Sequence, residues 1–417
     1  MSLLKGWRNP FTKTLCPYCF KRFALHRAPL RQLDEGPDPV NDEKLVRFLG
    51  LNHKAMSPAI PVEAGFFGAL RLDNSMLPTH DRICPECHLP LPIALARGEL
   101  DSKIIAIVGD KGCGKSNYFA ALVQQLNDTT VLQRVNIGII AEDSFDPDKA
   151  VKKSSQTLWE ERMGRFIRGE GLDGTNCRAV PETDRREVNS SLKTPLIYRL
   201  QIDAPTNGAG VFSAPFRSVL LVLYDSAGED LEVRERVRLW YRYLMEADAM
   251  MFLMDPLRLP EIQRDRHAEG SDRLDKSSTV FDNLVTLFER ENLGIHEQLR
   301  KPTSFVFTKS DALRRYLPDD SRILFPSRHD SGIDLDDMLH LSDEVQSHAR
   351  EWGATSLIRK IQGRCSDHQF FAVSALGCQP EVGEDGFEYI SHYAPIRVAD
   401  PLLWLLYRMG YLKVSSP

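Results

Sequence analysis

The stretch Lys103-Ile-Ile-Ala-Ile-Val-Gly109 is followed directly by Asp110-Lys111-Gly112-Cys113-Gly114-Lys115-Ser116. Its β-branched apolar run is typical of a buried strand, and a helical pattern extends from Lys115 to Leu126. The residues between fit G-x-x-x-x-G-K-[ST], a loop whose glycines let backbone N–H groups surround phosphate at a helix N-terminus. We expect Lys115 to reach the terminal phosphates and Ser116 to bind Mg²⁺, and Asn117 to complete the binding segment.

Buried-strand patterns recur further along the chain, at Val219 to Tyr224, Ala249 to Met254, Thr303 to Phe307 and Gln369 to Val373. Amphipathic helical segments separate them, and Leu196 to Ile202 predicts one more strand, giving about six. Alternation of strands and helices predicts an α/β fold of the P-loop NTPase kind, a doubly wound, mainly parallel sheet.

The organisation predicted from the sequence is a small module over 1–100 and a P-loop domain over 101–417. The module is rich in proline and turn residues. An insertion at about 131–193 carries a strand-like Val135 to Ile140 and a helical Pro147 to Phe166. Leu259 to Ser278 and Arg315 to Asp337 are polar and are expected to form exposed loops.

Composition excludes several classes of protein. The 417 residues are 42% hydrophobic and 27% charged, which is typical of a globular chain and not of a disordered one. No apolar run approaches the ~20 residues of a membrane span, and a net charge of −5 argues against wholesale polyanion binding. Without a secretory signal, a reducing cytoplasm is the expected compartment.

Asp225-Ser-Ala-Gly228 follows the second apolar strand. An aspartate at a strand end can hold Mg²⁺ through water, and the Gly228 amide can contact a γ-phosphate. Coming after a phosphate loop, this pair predicts the second part of a nucleotide site.

Thr308-Lys309-Ser310-Asp311 and Ser374-Ala375-Leu376 follow two later strands. A carboxylate at Asp311 can accept hydrogen bonds from the ring N–H and exocyclic amine of guanine, a donor pair that adenine lacks. The Lys309 stem can lie along the base, and small residues at 374–376 let a backbone N–H approach the guanine oxygen. Open α/β sheets bind ligands at such strand ends.

These four motifs resemble those of the translation-factor-related (TRAFAC) GTPases, over about residues 103–412. The resemblance implies a Ras-like fold that binds GTP or GDP with Mg²⁺. A narrower resemblance, to the second type of the bacterial double-GTPase family, is carried by Ala249-Met-Met-Phe-Leu-Met-Asp255-Pro256, Val398-Ala-Asp-Pro-Leu-Leu-Trp-Leu-Leu406 and an N-terminal cysteine module. It implies that the protein acts beside another GTPase and an associated third protein in prokaryotic conflict cassettes.

The hydrolytic residues depart from the Ras-like pattern. Glu229 stands where a water-orienting glutamine is usual, so slow turnover is expected. Thr194 is the first candidate for the switch threonine and Thr183 the second, although Thr194 could simply begin a strand. Lys111 could stabilise charge or obstruct an incoming arginine. A helical run of arginines after Gly228, most simply a solvated face, is an alternative source of a catalytic arginine: Arg234, Arg236, Arg238 and Arg242.

Two cysteine pairs lie near the N-terminus, Cys16-Pro-Tyr-Cys19 and Cys84-Pro-Glu-Cys87. Two such turns supply the four thiolates of a tetrahedral Zn²⁺ site, with a subdomain inserted in the 64 residues between them. Redox-active dithiols are the alternative, but no thioredoxin-like context accompanies them. His26 or His88 could replace one ligand, although both are expected to be neighbours.

Basic and aromatic residues interleave around the first cysteine pair: Arg8, Lys13, Lys21, Arg22, Arg27 and Arg31 with Trp7, Phe11, Tyr18, Phe20 and Phe23. Such a set can bind single-stranded nucleic acid. A solvated basic face over an aromatic core is the simpler interpretation, and a protein partner is a third.

The sequence therefore predicts a GTP-binding switch with weak Mg²⁺-dependent GTPase activity and protein partners. The alternatives are a non-hydrolysing, nucleotide-dependent scaffold, which Glu229 favours, and an ATP-dependent P-loop enzyme, which Asp311 disfavours.

Overall fold

The structure is a computed structural model. It describes residues 13–33, 40–49, 56–62, 75–99, 101–109, 112–127, 134–135, 137–146, 151–167, 195–203, 216–223, 243–268, 281, 285–286, 298–330, 332–382, 388–390 and 392–414. All statements below concern these residues.

Strands are short at both ends of the chain and longer between them. They are β1 (Lys13–Leu15), β2 (Arg22–Ala24), β3 (Leu30–Gln32), β4 (His80–Arg82), β5 (Asp101–Gly109), β6 (Ile137–Ala141), β7 (Asp143–Asp146), β8 (Val151–Ser154), β9 (Leu196–Asp203), β10 (Phe216–Leu223), β11 (Ala249–Met254), β12 (Thr303–Phe307), β13 (His368–Ala372), β14 (Glu381–Val382) and β15 (Glu388–Tyr389).

The α-helices are α1 (Glu43–Leu49), α2 (Ile93–Ala96), α3 (Lys115–Asn127), α4 (Ser155–Ile167), α5 (Pro260–Ala268), α6 (Leu335–Ala349), α7 (Thr355–Arg364) and α8 (Asp400–Arg408). Short 3-10 turns follow two of the sheet strands, at Pro256–Arg258 and Ser310–Tyr316.

The chain divides into two compact units, and the boundary passes through β5. The first comprises Met1–Ile104, Ile139–Leu158 and Ala179–Tyr224; the second comprises Ile105–Gly138, Trp159–Arg178 and Asp225–Pro417. Whether 1–100 and 101–417 are separate domains stays a prediction.

The first unit is dominated by antiparallel pairs. β1 pairs with β2, β3 with β4, β7 with β8 and β9 with β10, and only the β10–β5 pair is parallel among those described in this unit. Leu196 lies opposite Leu223, so the apolar ends of β9 and β10 are in register. This unit also holds the cysteine pairs.

The second unit contains the parallel strands that the βαβ pattern predicts. β5 pairs with β11, β11 with β12 and β12 with β13, all parallel. Their uninterrupted apolar sequences are explained by burial: every residue of β11 and β12 is buried. Phe305 packs against Phe252 and Phe370, with ring centroids 5.8 and 5.5 Å apart.

The strand order of the sheet is β13-β12-β11-β5-β10-β9-β6. The predicted α/β class, with a mostly parallel central sheet and a cysteine cluster near the N-terminus, is confirmed. Because Gly109 pairs with Leu253, Met254 with Phe307, and Phe307 with Ala372, the carboxyl ends of four strands meet at one edge. The residues that follow these ends are therefore neighbours.

Several local expectations from the sequence are wrong. The sheet has seven strands, not about six, because β6 joins β9. The helix expected from Pro147 begins at Ser155, since Val151–Ser154 pairs with β7. The segments expected to be exposed loops contain helix α5 and buried side chains such as Ile323 and His329. The buried His329 ring has a polar partner, because its Nε2 lies 3.2 Å from the buried carboxylate of Asp400.

Candidate nucleotide site and metal centre

The phosphate loop is described at Gly109 and from Gly112 onward. Gly112 and Gly114 have φ of +74° and +84°, a conformation that glycine adopts without steric cost. Helix α3 begins at Lys115 directly after them. The loop therefore directs backbone N–H groups and the positive end of a helix dipole to one point, which is the arrangement that binds phosphate.

Lys115 is largely buried, and its Nζ donates to the Gly109 carbonyl at 2.8 Å. The ammonium group of Lys115 therefore lies over the phosphate loop, which directly precedes α3. Gly109 leaves no room for a side chain, because an ideal Cβ would lie 2.4 Å from the Leu253 carbonyl oxygen and 2.9 Å from Cys113 Sγ. Cys113 is fully buried beneath the loop. Ser116 and Asn117 occupy the first turn of α3.

Thr308 connects the end of β12 to the phosphate loop. Its hydroxyl donates to the Cys113 carbonyl at 2.6 Å, and its backbone N–H donates to Met254 O at 2.9 Å. The Thr308 side chain is short and buried, so its hydroxyl lies close enough to the loop to make this bond. The Thr308 hydroxyl thus joins the predicted base site to the backbone of the predicted phosphate site.

Lys309 adopts a left-handed conformation, with φ of +56°, that turns its side chain back across the loop. Its Nζ donates to Gly112 O at 2.9 Å and to Asp255 Oδ2 at 2.6 Å. Its Cε would lie 3.8 Å from a Cβ on Gly114. The stem therefore covers the loop, while the ammonium group ties the loop to the end of β11.

Asp311 lies in the first turn after β12 and is partly exposed. The Ser374 hydroxyl donates to its Oδ1 at 2.5 Å, and the Gly377 N–H donates to the Ser374 oxygen at 2.8 Å. This chain fixes the carboxylate against the end of β13. Leu376 is buried and Ala375 is partly exposed beside it.

Asp255 is a functional candidate that the sequence reasoning missed. Asp255 is buried, accepts from the Leu257 N–H at 3.0 Å, and caps the turn Pro256–Arg258. The available signal was its position, because Asp255 follows a buried strand end just as Thr308 and Ser374 do. It was considered only as part of a family resemblance.

Other predicted residues lie outside the described part of the chain, and their roles stay predictions: Asp110, Lys111, Asp225, Gly228, Glu229, Thr194 and Thr183. The run of arginines from Arg234 to Arg242 lies outside it as well.

The four paired cysteines converge in the first unit. Their Sγ atoms all lie within 4.8 Å of one another, and all four residues are buried. Cys16 and Cys87 sulfurs are 3.8 Å apart, and Cys19 and Cys84 sulfurs 3.7 Å. In a tetrahedral site with zinc–sulfur bonds of about 2.3 Å, neighbouring sulfurs lie about 3.8 Å apart. The donor set therefore fits one tetrahedral, thiophilic metal ion.

The two cysteine turns have the same backbone. Tyr18 N–H and Glu86 N–H each lie 3.4 Å from the sulfur of the first cysteine of their turn. Phe20 and His88, directly after the second cysteines, both have positive φ, 57° and 58°. Burial raises the pKa of the Cys16 and Cys87 thiols, so holding four thiolates there requires a cation.

His88 is a neighbour of the cluster and not a member of it. Its Nδ1 lies 2.7 Å from Asp42 Oδ2, and Arg31 donates to the same carboxylate. Burial alone would raise the pKa of Asp42, but the hydrogen bonds from His88 and the Leu45 N–H, with the charge of Arg31, lower it. An ionised Asp42 therefore anchors the second cysteine turn. Among the described residues, the group that could hold a metal ion consists of the four cysteines, and His26 does not belong to it.

The aromatic residues near the first turn are core residues. Tyr18, Phe20 and Phe23 are all buried. Buried rings offer no stacking surface to nucleic acid, so this part of the basic and aromatic pattern is explained by packing. Among the described residues, no helix is long and apolar enough to cross a membrane.

No protein-family profile matches the chain. SaeC of Mycolicibacterium smegmatis, described as a candidate ESX-1 scaffolding and assembly protein, is 25% identical over 353 residues, covering 79% of this chain and 80% of SaeC.

Among solved structures, the chain is similar to the GTP-bound GTPase-like domain of S. cerevisiae Ski7, at 11% identity and a TM-score of 0.32, covering 76% of this chain and 51% of that one. It is also similar to the SRb-GTP/SRX complex from Chaetomium thermophilum, at 12% identity and a TM-score of 0.27, covering 67% of this chain and 96% of that one. The chain thus spans about half the length of the Ski7 chain. Because both TM-scores are low, the fold assignment rests on this chain's own strand order and phosphate loop.

Proposed function

We propose that this protein is a GTP-binding switch with slow Mg²⁺-dependent GTPase activity that acts with protein partners. The observation that carries the proposal is the bridge made by Lys309, which joins the phosphate loop at Gly112 to Asp255. Beside it, Ser374, just after the end of β13, holds the carboxylate of Asp311, just after the end of β12. A phosphate cradle and a fixed carboxylate are thereby built into one edge of one sheet.

Phosphate binding falls to the loop from Gly109 to Ser116. Lys115 neutralises the terminal phosphates, and the Ser116 hydroxyl together with Asp225 holds Mg²⁺, which polarises the phosphate oxygens when it is bound. Gly228 contacts the γ-phosphate. Loss of that phosphate would release the segment near Gly228 and Thr194, and this change in contacts is the switch.

Base selection falls to Asp311. Its carboxylate accepts two hydrogen bonds from guanine, and adenine presents no matching donor pair. Ser374 fixes the rotamer of the carboxylate, so less side-chain entropy is lost when the base binds. Lys309 covers the base, and a backbone N–H near Ala375 contacts the guanine oxygen.

Hydrolysis is expected to be slow because of Glu229. A glutamate can accept from water, but its charge is repelled by the γ-phosphate, and it donates no hydrogen bond to it. The cysteine cluster is proposed as a structural Zn²⁺ site that completes the first unit, since all four coordination positions are filled by thiolates.

Protein partners are the expected readout of the switch. SaeC is described by a role in scaffolding and assembly, and a nucleotide-controlled surface suits such a role. The conflict-cassette context, with another GTPase and a third protein, and a cytoplasmic location remain part of the proposal. The nucleic-acid alternative is weakened by the buried aromatic residues of the module.

A titration with fluorescent GTP, GDP and ATP analogues in the presence of Mg²⁺ tests the proposal. The wild type should prefer guanine nucleotides, and Asp311→Asn should weaken GTP binding by roughly 100-fold, equivalent to about 2.7 kcal/mol, while improving binding of xanthosine nucleotides. Asp319→Asn, at an exposed position on the same segment, should change neither. Equal binding of ATP and GTP by the wild type would contradict the proposal and favour an ATP-dependent enzyme.

A second candidate is a nucleotide-dependent scaffold that does not hydrolyse GTP. Glu229 favours it, as does the description of SaeC. Phosphate release separates the two: guanine-specific binding without detectable phosphate release, with partner proteins present, would support the scaffold and reject the GTPase.

A further inference from the structure

Segment 396–398 lies just before α8 and holds the loop that follows β13. Ser374 N–H donates to Ile396 O at 3.0 Å, and Ile396 N–H donates to Ser374 O at 2.8 Å. Ser374 is also the residue whose hydroxyl fixes the carboxylate of Asp311. The geometry of the proposed base site therefore depends on where segment 396–398 is held.

The same segment is bonded to the helix that follows the phosphate loop. Tyr118 lies in the first turn of α3 and is fully buried. Its hydroxyl donates to the Val398 carbonyl at 3.0 Å, and its backbone N–H donates to Gly114 O at 2.9 Å. One end of segment 396–398 thus contacts the base side of the proposed nucleotide site, and the other end contacts the phosphate side.

Arg397 lies between these two ends in a left-handed backbone conformation, with φ of +54°. Residues other than glycine seldom adopt this conformation, because the Cβ atom crowds the backbone. Its side chain is only 3% exposed, so the guanidinium group is buried as well. A strained backbone and a buried charge both cost stability, and their coincidence at one residue indicates a positional role.

The Arg397 guanidinium group is bonded to three other elements of the second unit. Nε donates to the carbonyl oxygens of Arg322 at 3.1 Å and Phe325 at 2.8 Å. Nη1 donates to Asp337 Oδ2 at 2.7 Å and to Asp400 Oδ2 at 3.0 Å. These partners belong to the segment after β12, to the first turn of α6 and to the first turn of α8. Arg397 therefore anchors its own segment to all three.

We propose that Arg397 is a positioning residue for guanine recognition: by anchoring segment 396–398 it sets the place of Ser374 and, through Ser374, of the Asp311 carboxylate. This inference deepens the proposed function and rests on it. A guanidinium group suits the task because it stays charged and carries several donors in one plane, so one side chain can bond carbonyl and carboxylate groups of different elements. Arg397 acts through Ser374 and contacts no substrate atom itself.

The expected consequence of losing Arg397 is a loss of selectivity. Guanine offers Asp311 two donors, the ring N–H and the exocyclic amine, whereas hypoxanthine, the base of ITP, offers only the ring N–H. The second bond forms only when the carboxylate is correctly placed. A displaced carboxylate therefore narrows the difference in affinity between GTP and ITP, while the phosphate loop continues to bind both.

The experiment measures the affinities of GTP and ITP, with Mg²⁺, by competition with a fluorescent GDP analogue. The wild type should prefer GTP by roughly 30-fold, because ITP lacks one hydrogen bond to a charged group. Arg397→Gln should reduce this preference to less than about 5-fold. Arg397→Lys keeps a cation beside Asp337 and Asp400, so it should fold even if Arg397→Gln does not, and it should show an intermediate preference.

Two further variants separate this role from a general loosening of the structure. Tyr118→Phe removes the bond to Val398, on the phosphate side of the segment, so it should weaken GTP and ITP binding equally and leave their ratio unchanged. Arg408→Gln is the matched control, because Arg408 lies on α8 and pairs with Asp367 at the surface. It should behave as the wild type, and the thermal midpoint of each variant verifies folding.

A GTP preference that persists unchanged in the folded Arg397 variants would overturn the positioning role. An equal loss of preference in Tyr118→Phe would overturn it too, because the ratio would then report loosening of the whole region. A wild type that rejects ATP but binds GTP and ITP equally would remove the second bond to Asp311 on which the inference depends. A wild type that binds ATP as tightly as GTP would instead overturn the proposed function.

Discussion

The cysteine cluster, as the proposed metal centre, and the proposed nucleotide site are built in different ways. The metal centre uses four identical side chains from two turns with the same backbone, and Phe20 and His88 even share a positive φ. The nucleotide site uses unlike groups that follow different strands, and it depends on bonds between them, such as the one from Lys309 to Asp255. The first site forms because one short cysteine turn occurs twice, and the second forms because the register of the parallel strands brings their carboxyl ends together.

This difference predicts how each site fails. Removing one cysteine leaves three buried thiolates without their cation balance, so the loss affects the whole cluster. Removing one strand-end group at the nucleotide site leaves the backbone cradle in place, so the effect is local and graded. Three variants test this contrast, and a fourth tests an ion pair outside both sites.

Cys16→Ser should have the largest effect. The wild type should contain about one zinc ion per chain and the variant almost none. The first unit should lose several kcal/mol of stability, because structural zinc supplies roughly 10 kcal/mol of binding free energy in small zinc domains. Metal analysis and thermal unfolding measure both, and Cys378→Ser, at a partly exposed cysteine, is the control. Full zinc content in Cys16→Ser would contradict the four-thiolate site.

Gly109→Ala changes the backbone cradle itself, so unlike the loss of a single strand-end group it should abolish nucleotide binding. It should also destabilise the second unit by about 1–3 kcal/mol, since the new methyl group overlaps the Leu253 carbonyl. Gly363→Ala is the contrasting variant, because no heavy atom lies within 4 Å of its Cβ on α7. That change should stabilise the protein by roughly 0.5–1 kcal/mol. Denaturant unfolding and GTP titration measure the pair, and equal stabilities would mean that the strand end is not tightly packed.

Asp255→Asn should have a smaller effect. It keeps the shape of the cap but removes the charge that holds Lys309, so GTP affinity should fall by about 5-fold, equivalent to about 1 kcal/mol. Asp343→Asn, on the exposed face of α6, should leave affinity unchanged. An Asp255→Asn affinity equal to that of the wild type would show that Lys309 is positioned by its bond to Gly112 alone.

Asp337→Asn should have the smallest effect, and its effect on stability should be seen mainly at acidic pH. Burial alone would raise the pKa of Asp337, but hydrogen bonds and charges from Arg397 and Arg322 lower it below its ordinary 3.8. A lowered folded pKa means that the carboxylate stabilises the protein above about pH 4 and that this contribution is lost as the pH falls further. Unfolding curves from pH 6 to pH 3 should therefore be flatter for Asp337→Asn than for the exposed Asp336→Asn. Parallel curves would contradict this ion pair's contribution.

The sequence predicted the elements whose signal is local. The phosphate loop could be identified because its glycines, lysine and serine are contiguous between a strand and a helix. The cysteine ligands could be identified because the same short turn occurs twice. The strand-like Val135 to Ile140 was predicted, but its place beside β9 in the sheet was missed, because the pairing partner lies more than fifty residues further along the chain. The start of α4 was missed because β8 is short and polar and pairs with β7 across a turn. Asp255 was missed because its importance depends on which strand lies beside β5.

The sequence by itself determined the chemical groups available to this protein: two pairs of cysteines, a loop with the phosphate-binding pattern and a carboxylate that we propose selects guanine. Backbone preferences and side-chain types act within a few residues, so they can be read along the chain. Only the tertiary structure decided that Lys309 bridges Gly112 and Asp255 and that Arg258 lies against the loop. The two contacts of Lys309 join residues 54 and 197 positions apart, and the packing and register of parallel strands bring them together.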